Sequence, residues 1–157
     1  MNIIIIGDVM LDINYNSQVT RNAPEANIPI YNILDTNYIL GGAGNVAHNL
    51  KNLGANVELV GLIGNDTYGT ILKNKLDSKQ IEHKLFIDNR NTIQKNRIFL
   101  NNELNVRFDI EDNYDISNVI ENEVIHYVTN KGNTDAIIIS DYDKGFVTEY
   151  LCQGVIK

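Results

Sequence analysis

The first apolar block of the chain, Ile3-Ile4-Ile5-Ile6, is continuous, β-branched and ends at Gly7-Asp8. A run without polar alternation suits a strand buried on both faces, as in a parallel sheet flanked by helices. The pattern returns at Val57–Ile63, before Gly64-Asn65-Asp66, and at Ala136–Ile139, before Ser140-Asp141. Between these runs the period becomes helical. Val46, Leu50 and Leu53 share a face, and Gly54 follows as a stop. Asp66 is placed to cap a helix that carries Tyr68, Ile71, Leu72 and Leu76 on one side. Ile116, Val119, Ile120, Val124, Tyr127 and Val128 mark a further helix, with Asp115 as its cap and Gly132 as its end. A short helical stretch runs from Thr148 to Ile156. Strands alternating with helices predict an α/β, doubly wound, mainly parallel sheet.

Two stretches depart from that rhythm. Residues 13–34 alternate apolar and polar (Ile13, Tyr15, then Ile28, Ile30), which predicts strands with one solvated face. Residues 92–110 form a hairpin pattern, with Asn101-Asn102 at the turn between Arg97-Ile98-Phe99-Leu100 and Val106-Arg107-Phe108. Both are assigned to a small β-layer protruding from the sheet as a lid. The expectation is one partial domain over 1–157, with lid strands from about 13–34 and 92–110. The main sheet reads as incomplete at the C-terminus, because few strands and one short helix would leave an apolar edge uncovered.

Composition narrows the partners. The net charge is −7 and the 13 Lys and Arg are scattered, so nothing resembles a phosphate-neutralising stripe for nucleic acid. Cys152 is the single cysteine, which excludes an intrachain disulfide and fits a reducing, cytoplasmic setting. His48, His83 and His126 lack metal-ligand spacing, and no apolar run approaches a membrane span.

The candidate chemistry centres on Gly41, Gly42 and Gly44. Gly42-Ala43-Gly44-Asn45-Val46-Ala47 satisfies the G-x-G-x-x-G/A dinucleotide pattern, yet the first strand ends near Gly7, far from where that fingerprint belongs. A phosphate-binding P-loop sequence is absent. A plain tight turn before a helix remains open as the structural alternative. Three glycines in four residues would also expose backbone N–H groups at the positive end of a helix, beside the amide of Asn45. That arrangement suits a polyhydroxylated ligand.

The run Gly41-Gly42-Ala43-Gly44-Asn45-Val46-Ala47, with Gly54 and Gly64 at matching distances, resembles the N-terminal signature of the PfkB/ribokinase family of carbohydrate kinases. Within the family the chain is most similar to the kinase domain of bacterial heptose-7-phosphate kinases, which serve ADP-heptose synthesis. Gly7-Asp8-Val9-Met10-Leu11-Asp12 resembles their opening strand and loop, and Arg21, Pro24-Glu25-Ala26 and Pro29 their first lid strands. Thr92, Lys95 and Arg97 resemble a lid motif, and Ser140-Asp141-Tyr142-x-Lys144-Gly145 a later strand end. Asn91 and Asn27 stand where the relatives carry Pro, and Gln94 and Asn96 replace the usual neighbours.

The resemblance implies a ribokinase-like fold and a sugar pocket lined by Asp12, Gly41, Gly42 and Asn45, with Asp141 nearby. It implies that Lys95 and Arg97, two apart on a strand, clamp a sugar phosphate, against the alternative of a solvated strand face. It also implies ATP and Mg2+ for a complete enzyme and a homodimer through the lid. The family's second signature, Asp-Thr-x-Gly-Ala-Gly-Asp, supplies the anion hole and base, and no such stretch occurs here. The expectation is therefore the sugar-binding and lid portion of an ATP-dependent kinase, with no catalytic residue in this chain and no tightly held cofactor. The alternatives are a non-catalytic sugar-binding or dimerisation module, and a family member acting on a non-phosphorylated sugar or nucleoside.

Overall fold

The computed structural model describes residues 1–156; of the expected 1–157 domain, only Lys157 lies outside them. Strands β1 (Asn2–Gly7), β4 (Asn56–Gly64), β5 (Glu82–Asp88) and β8 (Ala136–Ser140) form an all-parallel sheet in the order β5-β4-β1-β8. Helices α1 (Ala43–Asn52), α2 (Thr67–Ser78), α3 (Asn118–Thr129) and α4 (Glu149–Val155) cover it. The alternation of β1 shows how. Ile3 and Ile5 pack with Ala43, Ala47, Leu72 and Leu76 of α1 and α2, while Ile4 and Ile6 pack with Val124, Val128, Leu151 and Val155 of α3 and α4. A strand with a core on each side has no use for polar positions, which is why it reads as unbroken isoleucine. The sheet is thus doubly wound, as expected.

The second sheet is built from β2 (Val9–Asn22), β3 (Pro29–Gly42), β6 (Gln94–Leu100) and β7 (Glu103–Ile110), in the order β3-β2-β6-β7. It is mixed: β2 runs antiparallel to β3 and parallel to β6, and β6 runs antiparallel to β7. Its strands reach further into the body than the alternation over 13–34 suggested. β2 begins one residue after β1, and β3 ends on Gly42 itself. Leu11, Ile13 and Leu40 join the core beside α1 and α2. The opposite face of β2 and β6 carries Asp12, Asn14, Lys95 and Arg97. Asn101 and Asn102, with φ of 53° and 67°, make the hairpin turn at the residue type best suited to left-handed backbone.

Four details differ from the sequence reading. Ser117, not Asp115, caps α3: its Oγ accepts from the Ile120 N–H at 3.4 Å. Ile116 is buried ahead of the helix, with its N–H donating to the Gly145 carbonyl at 2.8 Å, so its apolar signal belonged to loop packing. The helix stops at Thr129, capped by Asn130 rather than ended by Gly132. Strand β5 was not anticipated, because it is an edge strand with Glu82, Lys84 and Ile87 exposed. Asp66 does cap α2, accepting from the Gly69 N–H at 2.7 Å. Among the described residues no helix is long and apolar enough to cross a membrane.

Candidate functional site

Strands β1 and β8 lie side by side and in parallel, so their C-terminal ends deliver two loops to one place. In open α/β sheets this is where ligands bind. Asp8 draws the pieces together. Its backbone N–H donates to the Ser140 carbonyl at 3.1 Å, and its own carbonyl accepts from Ala43 N–H at 2.9 Å, joining the end of β8 to the start of α1. Its side chain, 1% exposed, accepts from the backbone N–H groups of Tyr142 (2.7 Å), Phe146 (3.2 Å) and Lys144 (3.3 Å). Burial pushes this carboxyl above the ordinary range, and the three N–H donors only partly offset it. Asp8 therefore shapes the loop that carries Asp141 and Lys144. The sequence signal for it was the bare Gly-Asp at a strand end, which named no partner.

The glycine cluster sits against this junction. Gly42 has φ of +54°, and a Cβ there would come within 2.3 Å of the Asp8 carbonyl. Only glycine both adopts the angle and leaves the room. A Cβ on Gly41 would instead meet the Asp12 carboxylate at 2.6 Å and Met10 Cγ at 2.8 Å. The missing side chain at Gly41 thus makes room for the Asp12 carboxylate and Met10. No side chain caps α1: the Ala43 N–H is taken by the Asp8 carbonyl, which leaves the N–H groups that follow it beside Asn45, exposed in the first turn. Asp141 is exposed after β8 and accepts from the Asp143 N–H at 2.8 Å, the geometry of a local turn.

Lys95 and Arg97 do share a face, and neither is simply solvated. Arg97 Nη1 donates to Asp12 Oδ1 across the sheet. Lys95 is 8% exposed, and its Nζ donates to Asp109 Oδ2 at 3.0 Å and to Glu111 Oε2. Burial alone would lower the Lys95 pKa, but these two carboxylates hold it above the ordinary value. Arg107 forks onto Asp109 at 2.9 and 3.2 Å, and Lys144 Nζ reaches Glu111 Oε1 at 3.1 Å. Asp109 and Glu111 were missed in sequence. Folding the hairpin about Asn101-Asn102 alone would have set Phe108 opposite Lys95; the irregularity at Ile98/Phe99 shifts the register by one residue and brings Asp109 there instead.

Thr92 plays a different part from its neighbours in the motif. Its Oγ1 donates to Asp66 Oδ1 at 2.8 Å and accepts from the Gly64 N–H at 3.0 Å, while its N–H donates to Asp66 Oδ2 at 2.8 Å. It fastens the root of β6 to the turn before α2. The two Asn-for-Pro positions also have physical reasons. Asn27 adopts φ of +47°, which proline cannot, and Asn91 donates both its N–H (2.8 Å) and its Nδ2 (3.0 Å) to Asp112. A polar cleft lined by Asn2, Asn56, Glu58 and Lys131 lies at the N-terminal ends of β1 and β4, the far end of the sheet from the glycine turn.

Known proteins resemble the chain in sequence and in fold. Residues 1–155 match the model of the pfkB family carbohydrate kinases. The chain is 33% identical over 156 residues to the bifunctional protein HldE of Nitratiruptor, covering 99% of this chain and 34% of that protein. It is 40% identical over 157 residues to the bifunctional protein HldE of Campylobacter jejuni, covering 99% and 32%. The chain thus spans about a third of the length of the curated relatives it matches. In structure it resembles phosphofructokinase-2 from Escherichia coli in complex with fructose-6-phosphate, with a TM-score of 0.69 and 18% identity over 98% of this chain and 50% of that one. That likeness establishes the ribokinase-like fold. By signature, relatives and fold together, the chain belongs to the pfkB family of carbohydrate kinases.

Proposed function

We propose that this chain forms the sugar-binding cradle and lid of an ATP-dependent carbohydrate kinase, and that its ligand is a heptose 7-phosphate. The observation that carries the reading is the Asp12–Arg97 pair set directly against Gly41, where only a missing side chain lets the Asp12 carboxylate sit. Asp12 can accept from adjacent sugar hydroxyls, while Asn45 and the uncapped N–H groups of α1 donate. Arg97 has donors beyond the one engaged by Asp12, and a guanidinium fork suits a phosphate. Likeness to HldE proteins supports a heptose as the sugar.

ATP and Mg2+ belong to this reading as co-substrate and its metal for a longer polypeptide. Among the described residues no group of three His, Cys, Asp or Glu side chains could hold a metal ion. Phosphoryl transfer rests on positioning and on stabilising the moving phosphoryl group. This chain supplies the positioning, in a cytoplasmic setting, and does not turn over alone. Pairing of two copies through the lid also belongs to the proposal.

Titration of the 15N-labelled chain with D-glycero-D-manno-heptose 7-phosphate is the test. The amides of Gly41, Gly42 and Asn45 should shift together, and Arg97→Ala should weaken binding about tenfold. Unmoved glycine amides at millimolar ligand would overturn the reading. Lys95 favours a second reading, an unphosphorylated sugar, because its charge is already met by Asp109 and Glu111. In that case heptose would bind as well as its phosphate, and Arg97→Ala would not separate them.

A further inference from the structure

Four cations and three carboxylates make up the charged face of the lid and its root: Lys95, Arg97, Arg107 and Lys144 against Asp12, Asp109 and Glu111. The surplus is a single positive charge. Glu111 has a special place in this set, because it alone touches both the lid and the loop after β8. One carboxylate oxygen takes Lys95 of β6 and the other takes Lys144 at 3.1 Å. The backbone around Lys144 is itself fixed, since its N–H donates to Asp8 and its carbonyl accepts from Arg90 Nη1 at 3.3 Å. Next to Glu111, Asp112 is held by Asn91. The carboxylate is therefore anchored from both sides, with side-chain exposures of 11% for Lys95, 22% for Glu111 and 17% for Lys144.

We propose that Glu111 sets the anion specificity of the pocket by occupying Lys95 and Lys144 with its two oxygens, so that Arg97 alone meets an anionic group on the ligand. The proposal rests on the sugar-phosphate reading for its biological meaning. Glu111 is a positioning residue here, acting through two lysines. Without Glu111, Lys144 would lose its carboxylate partner and Lys95 would keep only Asp109, and donors unmet at this depth would hold any small anion, because charge-assisted bonds strengthen away from water. Engaging them restricts the site to ligands that Asp12 and the glycine turn also recognise.

The probe is inorganic phosphate at low ionic strength, followed by calorimetry and by NMR of lysine Nζ and arginine Nε groups. Glu111→Gln should bind phosphate about tenfold more tightly than the natural chain, and adding Lys144→Met, which removes the lysine left without a carboxylate, should abolish most of that gain. A structural role alone would predict weaker binding or none. Unchanged or weakened phosphate affinity in a folded Glu111→Gln protein would overturn the proposal. Should that variant not fold, the natural chain decides: phosphate should move Arg97 Nε and leave Lys95 and Lys144 Nζ in place, and movement of either lysine would overturn it. Failure of heptose phosphate to bind the natural chain would sink the functional reading but leave this anion gain intact.

Discussion

Asp66 closes two structures with one carboxylate, capping α2 through Gly69 and holding β6 through Thr92. Burial alone would raise its pKa, but these donors hold it below the ordinary value. Its stabilising contribution is therefore complete above the unfolded carboxylate pKa and disappears as pH falls through the lower folded value. Asp66→Ala should cost about 2 kcal/mol in denaturant unfolding, and the loss should shrink in acid. Asp8 has the opposite sign. Its pKa is raised by burial, so stability declines as pH rises from the unfolded carboxylate value toward the folded one. Asp8→Asn should flatten that decline, while orphaning part of the demand from three backbone N–H groups. A pH series of unfolding midpoints on both variants checks the two slopes. In sequence Asp66 announced itself by its place before a helical period. Asp8 could not, because its partners come from 134 to 138 residues away.

At the scale of elements, the junction of β3 and α1 separates two kinds of glycine. Gly42→Ala adds a Cβ at positive φ and 2.3 Å from a backbone carbonyl, a group that cannot swing aside. It should destabilise the fold by at least about 2 kcal/mol, visible as a lower Tm. Gly41→Ala meets the end of the Asp12 side chain at 2.6 Å, which can move, and Cγ of the buried Met10 at 2.8 Å, but no backbone. It should lower the Tm less than Gly42→Ala does and weaken sugar binding by displacing Asp12, as calorimetry would show. Both glycines were legible as one cluster, and their division of labour was not, since it depends on what stands opposite. The strands show the same limit. β1 was plain because two buried faces demand an unbroken apolar run, and β4 follows it apart from Glu58, whereas β5, at an edge, alternates and carries charge. The start of β2 was hidden because Asp8 alone separates it from β1, leaving no turn residues to read.

Over the whole molecule, β8 stands at the edge of the parallel sheet with β1 as its one strand neighbour. Ile137 is 39% exposed, Ile138 and Ile139 are half-buried, and the strand carries no charge of its own. Such an edge invites pairing with another chain. Ile137→Lys should reduce concentration-dependent association in light scattering without lowering the Tm, and equal association in the variant would remove the edge as its cause. The sheet order leaves two edge strands, β5 and β8, and β8 is the one that carries no charge.

The single residue between β1 and β2 has a mechanical consequence. The floor of the site and the long lid strand are one ribbon, clamped at Asp8 as a beam is clamped in a wall. Such a cantilever has no free pivot, so it deflects by bending along its length, least at the root and most at the tip near Asn22 and Pro29. Amide exchange should then follow a gradient along β2, slow from Val9 to Ile13 and progressively faster toward Asn22. Uniform exchange along the strand would instead indicate a hinge at the root. Ligand held under the clamped end would feel a stiff wall, while the distal lid remained free to yield.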